Sequence, residues 1–219
     1  MISSGRFPGV FWRSCSRNMS LPLERIKKLD IFRHCFRFDI LLQRPKGLPE
    51  RFTMSITVRK ALPSDGTLIL SLVQALAAYE KLAPPDQEAR KRLLTDLFSL
   101  RPRIDCYLAE ADGEPAGYAF VLETYSSFLA LPTLYLEDLF VLPECRGKKA
   151  GYALFTAMVG EARARGCGRM EWTVLDWNEL AISFYKRSGA RYMKEWHLYR
   201  LGKDDMERIL EGAYVPERI

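Results

Sequence analysis

The run Leu134-Tyr135-Leu136-Glu137-Asp138-Leu139-Phe140-Val141 passes through Pro143 into Arg146-Gly147-Lys148-Lys149-Ala150-Gly151 and then into a stretch of helical periodicity. A strand that feeds a short Gly-containing turn and then a helix limits the architecture more than any other feature of the chain. The strand needs neighbours in a sheet, and the helix needs a sheet face to cover. The start of such a helix gathers unpaired backbone N–H groups and the positive end of the helix dipole around one point, which suits a pyrophosphate. Arg146, Lys148 and Lys149 add formal positive charge there.

The elements on either side are legible in order. Residues 56–60 read as a short strand, and Pro63-Ser64-Asp65 caps a helix with Leu68, Leu72, Leu76 and Tyr79 on one stripe. Pro84-Pro85-Asp86 closes that unit and opens a second amphipathic helix over residues 86–100, with Leu93, Leu94, Leu97 and Phe98 inward. Residues 105–111, the turn Asp112-Gly113 and residues 115–124 read as an antiparallel hairpin. After the strand at 134–141 come a helix at 150–165, a strand at 169–175, a helix at 179–188 closed by Gly189, a last strand at 191–201 and a terminal helix at 204–211. A hairpin followed by strands that alternate with single helices predicts an α/β fold with a mixed, mostly antiparallel central sheet and helices on both faces.

With 219 residues and 48% hydrophobic content, the chain can bury one good core but not two full domains. No apolar run approaches the roughly 20 residues of a membrane-spanning helix, so no membrane partner is expected. The formal charge of +6 is unevenly placed. Residues 1–53 carry 11 Lys+Arg against 4 Asp+Glu, which leaves 22 basic and 23 acidic residues for 54–219. The basic bias therefore belongs to the leader, and the near-neutral body argues against a nucleic-acid partner. Three accounts fit the leader: translation extended upstream of a start at Met54, a targeting peptide, or a disordered or loosely docked extension. Cys15, Cys35, Cys106, Cys145 and Cys167 form no CxxC pair and are odd in number, which points to a reducing, cytoplasmic setting. The two histidines, His34 and His197, are far apart in sequence, so neither a metal site nor a His-activated Cys145 nucleophile is expected.

The loop from Arg146 to Gly151 resembles the Arg/Gln-x-x-Gly-x-Gly/Ala acetyl-CoA loop of the GNAT superfamily of N-acetyltransferases; Arg146 and Gly151 fit the motif, and Lys149 stands where it has its first glycine. The string from Trp177-Asn178 through Phe184-Tyr185 to Gly189-Ala190 is similar to a segment of the diamine (spermidine/spermine) and thialysine N-acetyltransferase branch. So are the Leu-Glu-Asp strand at 136–138 and Ala78-Tyr79-Glu80. Together these cover about residues 56–201, and the domain is expected over 54–219.

The resemblance implies a GNAT-type sheet splayed at a bulged strand and direct transfer of acetyl from acetyl-CoA to a small cationic amine: a polyamine, a diamine or a lysine-like amino acid. It implies cofactor contacts at Leu139, Phe140, Val141, Arg146, Gly147, Lys148, Lys149, Ala150, Gly151, Asn178 and Tyr185, and acceptor contacts at Tyr79, Glu80, Glu137 and Asp138. Glu137 is implied as the base, acting through water, and Tyr185 as the acid that protonates the departing thiolate. A homodimer is also implied. Read without the resemblance, Glu137 is equally a solvated strand carboxylate, Tyr185 a packing residue and Asn178 an ordinary N-cap. The alternatives are a non-catalytic acyl-CoA-binding sensor or interaction module, and an enzyme acting on a protein or antibiotic amine.

Overall fold

The structure, a computed structural model, describes residues 54–212. The expectations for the basic leader, including Met54 as a start and the thiols Cys15 and Cys35, concern segments outside the described residues. Five strands form one sheet in the order β1-β2-β3-β4-β5: β1 (Ile56–Lys60), β2 (Asp105–Ala111), β3 (Glu114–Ser126), β4 (Leu131–Val141) and β5 (Arg169–Glu171). The helices are α1 (Gly66–Glu80), α2 (Gln87–Phe98), α3 (Ala150–Ala164), α4 (Glu179–Arg187) and α5 (Lys203–Leu210). The chain divides into two compact units. The first takes the described residues up to Phe120 with Leu139–Met158, and the second takes Val121–Asp138 with the residues from Val159 onward.

In the first unit, β1 and β2 pair antiparallel, with Val58 opposite Ala109. Asp112 and Gly113 both have positive φ, 51° and 87°, the turn that matches the twist of a two-residue hairpin between β2 and β3. The Asp112 carboxylate also accepts from the Ser55 amide at 2.7 Å, which ties the start of β1 to the hairpin. Alternate residues of the sheet, Cys106, Leu108, Tyr118, Phe120 and Phe140, form one core with Ile69 and Leu72 of α1 and Leu97 of α2. On the opposite face Val141 lies against Gly151 of α3, so helices do cover both faces of this unit. Ala150, Leu154 and Met158 of α3 are fully buried.

The loop after β1 is held by charge. Arg59 donates to both Asp65 oxygens at 2.7 and 2.9 Å and, through Nε, to Glu110 at 2.7 Å. The hydrogen bond from Arg59 holds the Asp65 carboxyl below its ordinary value despite partial desolvation. Its contribution is present above the ordinary carboxylate value and is lost as pH falls through the folded value.

In the second unit, β4 and β5 are parallel over three pairs, Thr133 to Tyr135 against Arg169 to Glu171. The pairing ends there although β4 continues to Val141. α3 closes at Gly166 with φ 69°, and the Gly168 amide bonds the Pro132 carbonyl at 2.9 Å to start the parallel pair. Arg165 binds Glu161 at 2.8 Å and Glu123 at 3.3 Å.

Two expected strands differ. The one at 169–175 is confined to Arg169–Glu171, and residues 191–201 form no strand. A strand needs a ladder partner. Once β5 stops at Glu171, a downstream segment has no long edge in this unit on which to pair. Tyr192, Trp196, Leu198 and Tyr199 stand largely exposed as a result.

The tightest point of the first unit is Gly117 in β3. A Cβ built there would sit 2.2 Å from the Phe140 carbonyl oxygen and 3.0 Å from the Val141 Cα. Both are backbone atoms with nowhere to go, so the two strands approach more closely here than any side chain allows. Gly117→Ala is expected to lower stability by about 1–3 kcal/mol, the usual cost of forcing an added carbon into a filled space. Urea unfolding checks it, and an unchanged midpoint would show that β4 yields freely.

Candidate active site

The first unit carries the turn singled out by the sequence. β4 ends at Val141, a short 3-10 turn covers Pro143–Cys145, and Arg146 follows with extended backbone. Gly147 then takes φ 74° and Lys149 φ 71°, and α3 begins at Ala150. The Lys149 carbonyl accepts from the Ala153 amide at 2.9 Å and so starts the helical ladder. The amides of Ala150, Gly151 and Tyr152 lie ahead of that ladder, in the first turn, where helix geometry directs N–H groups outward along the axis. A Cβ at Gly147 would meet nothing within 4 Å, and one at Gly151 would meet only the Val141 side chain at an ordinary 3.5 Å. The turn therefore has room over it for an anionic group, and Lys148 and Lys149 are exposed beside it.

Arg146 is placed differently from its neighbours. It is half-buried; its Nε donates to the Val141 carbonyl at 3.1 Å, and its guanidinium lies 4.4 Å from the Tyr79 ring centroid and 5.9 Å from that of Phe140. Tyr79 and Phe140 are themselves 6.3 Å apart. The structure thus brings Tyr79, Phe140, Val141 and Arg146 into one cluster. Glu80, next to Tyr79, is half-buried, and loss of water pushes its carboxyl pKa up. Among the described residues it has no cationic partner.

The second unit carries the remaining candidates. Glu137 is exposed on β4 and Asp138 is half-buried, while Leu134 and Leu136 before them are fully buried and fix the strand's inward face. Asn178 caps α4, its side-chain oxygen accepting from the Ala181 amide at 3.2 Å. Tyr185, two residues before the end of α4, packs on Trp172 at 4.9 Å and on Phe184 at 5.4 Å between ring centroids. Burial among these rings pushes its phenol pKa up to about 12. The sequence reading overlooked Trp172 and Gly117. A glycine inside a strand signals a bulge or a close backbone approach, but nothing local says which strand approaches.

Among the described residues no group of three His, Cys, Asp or Glu side chains is arranged to hold a metal ion, and no helix is long and apolar enough to cross a membrane.

Comparison with known proteins bears on what such a site does. Residues 71–190 match the Acetyltransferase (GNAT) family. The chain is 33% identical over 169 residues to the thialysine N-epsilon-acetyltransferase of Sus scrofa, covering 71% of this chain and 97% of that protein. It is 29% identical over 210 residues to the L-ornithine N5-acetyltransferase of Arabidopsis thaliana, covering 75% and 92% respectively. Its fold is similar to that of an integron cassette protein from the V. cholerae mobile metagenome, with a TM-score of 0.62, 21% identity, and coverage of 72% of this chain and 99% of that one.

The left-handed Lys149 has a cost that can be measured. A side chain in this conformation loses about 1–2 kcal/mol, partly offset by the extra freedom glycine brings to the unfolded chain. Lys149→Gly is expected to raise stability by about 0.5–1 kcal/mol, read from thermal or urea unfolding. A destabilised variant would show that the lysine side chain holds the turn.

Proposed function

Since the chain belongs to the GNAT acetyltransferase family and is an N-acetyltransferase, we propose that it moves the acetyl group of acetyl-CoA directly onto a primary amine of a small cationic molecule. Polyamines, diamines and lysine-like amino acids are the acceptors in view. The observation that carries this reading is the turn from Arg146 to Gly151: two left-handed residues and open space above, leading directly into the N-terminus of α3. Such a turn suits the diphosphate of coenzyme A. The relatives named for thialysine and L-ornithine support an amine on an amino acid.

In this reading the main chain at Leu139, Phe140 and Val141 lies along the carrier, and an amide there polarises the thioester carbonyl. Arg146, Gly147, Lys148, Lys149, Ala150 and Gly151 form the diphosphate turn, and Asn178 is a further cofactor contact by family resemblance. An alkyl ammonium with a pKa near ~10.4 must lose a proton before it can attack. Glu137, an exposed carboxylate, takes that proton through water, and Asp138 draws the cation in. Glu80 supports the same reading. A desolvated carboxyl without a cationic partner gains from an arriving ammonium. Tyr185 donates to the departing sulfur. Burial raises its pKa, so at neutral pH the phenol is protonated and able to donate. No covalent enzyme intermediate is required, because holding both reactants in one site lowers the barrier by proximity.

The reading extends to a cytoplasmic homodimer. The exposed Tyr192, Trp196, Leu198 and Tyr199 support a second copy as cover, and the five cysteines without a CxxC pair support a reducing compartment. Sedimentation of the purified protein is expected to give a dimer; a monomer at all concentrations would remove that part.

Release of free thiol from acetyl-CoA over a panel of amines tests the activity. Turnover with at least one small diamine or basic amino acid is expected, whereas acetyl-CoA binding without turnover on any amine would overturn the proposal in favour of a sensor. Tyr185→Phe is expected to lower kcat at least about tenfold with little change in the KM for acetyl-CoA. With burial pushing the Tyr185 phenol up to about 12, its titration is not expected to contribute to the wild-type kcat profile between about pH 6 and 10. Unchanged kcat in the variant would take Tyr185 out of the mechanism.

A further inference from the structure

A basic residue at the mouth of a diphosphate turn is ordinarily read as a counter-charge for the ligand. Arg146 is already engaged. Its Nε gives its proton to the Val141 carbonyl at 3.1 Å, and the guanidinium carbon lies 4.4 Å from the centre of the Tyr79 ring. The Phe140 ring, 5.9 Å away, flanks it. These contacts join three parts of the first unit. Tyr79 is the penultimate residue of α1, which stops at Lys81 in a left-handed conformation, and Val141 is the last residue of β4. Val141 also meets the far end of the turn, since its side chain lies against Gly151. Entry to and exit from the turn are thus both referred to one strand residue.

We infer that Arg146 and Tyr79 are positioning residues for the cofactor turn: the guanidinium, stacked on the Tyr79 ring and bonded to the Val141 carbonyl, holds the chain from which the amides of residues 147–151 are presented. Only a planar, forked cation can stack and donate at once, so lysine does not replace arginine here. Tyr79 consequently serves the acetyl-CoA side of the reaction.

The inference rests on the acetyl-CoA reading of the turn, and the test has one arm that does not. In the unliganded protein, Arg146→Lys and Tyr79→Leu are each expected to speed amide hydrogen exchange at residues 147–152 without a general rise elsewhere. In the liganded arm each is expected to weaken acetyl-CoA binding about five- to tenfold, the loss of one cation–π contact with its hydrogen bond. The double variant is expected to be no weaker than the worse single one, because both remove the same contact. Tyr79→Phe, which keeps the ring, is expected to hold acetyl-CoA affinity within about twofold of wild type, and the KM for the amine is expected to move less than that for acetyl-CoA. Arg146→Lys with wild-type exchange and wild-type affinity would overturn the inference, as would additive effects, or a rise in amine KM alone for Tyr79→Leu. If Tyr79→Leu does not fold, Arg146→Lys and Arg146→Gln decide by the same readings. Failure of the wild-type protein to bind acetyl-CoA would sink the functional reading, and the exchange arm would still decide the role of Arg146 and Tyr79.

Discussion

Where β3 passes β4 at Gly117 there is room for a hydrogen atom and nothing larger. That contact controls much of the first unit. It brings the Ala116 carbonyl to the Leu142 amide at 2.9 Å, just past the end of β4, and it sets Phe140 into the core at 3% exposure. With Phe140 fixed inward, Val141 must face the other way, under α3, and its carbonyl is free of the core to receive Arg146. The geometry of the turn before α3 is therefore inherited from a strand-to-strand approach rather than from the turn's own residues. A looser approach would leave the same loop sequence without a fixed origin.

Most of the fold was legible because periodicity and turn chemistry agreed. Asp112-Gly113 named its own hairpin, since few residue pairs accept positive φ twice in succession. Asp86 and Asn178 announced the starts of α2 and α4, and both side chains accept from the amide three residues on. The turn from Arg146 to Gly151 was found from charge and glycine spacing, and Lys149 does take the left-handed conformation that the motif's glycine would supply. Residues 191–201 failed for a reason internal to strands. Alternation of apolar and polar residues states that a segment is able to pair but not that an edge exists to receive it. Trp172 and Gly117 were missed because their importance comes from contacts 13 and 23 residues away, with Tyr185 and Phe140, which no local pattern encodes. Arg146 was singled out for its charge in the turn, yet only coordinates show that charge resting on aromatic rings.

Electrostatics in the described residues divide by cause. Around Arg59 the shift of Asp65 comes first from a direct hydrogen bond, which marks a group whose charge is satisfied at home. At Glu80 and Tyr185 the cause is loss of water alone. A satisfied pair stabilises the resting protein and has little left to offer a ligand. A desolvated group with no compensating charge is held at a cost, and an incoming partner of the right sign recovers it. The contrast separates a carboxylate whose charge is satisfied within the protein, Asp65, from one raised by burial alone, Glu80, although the two look alike in sequence.

Lys149 shows how firmly the turn is determined. A left-handed lysine persists only where its surroundings over-determine the backbone, since the conformation itself costs about 1–2 kcal/mol. Those surroundings are on either side of it. Upstream, the 3-10 turn and the bond from Arg146 to Val141 fix where the chain enters. Downstream, the Ala153 amide binds the Lys149 carbonyl, and Ala150 is buried at 1% exposure, so the first turn of α3 has no freedom to unwind. Between two fixed ends so close together, residue 149 takes the one conformation that connects them, whatever its side chain prefers. The chain thus keeps an additional ammonium beside the helix start and accepts the strain of the left-handed backbone.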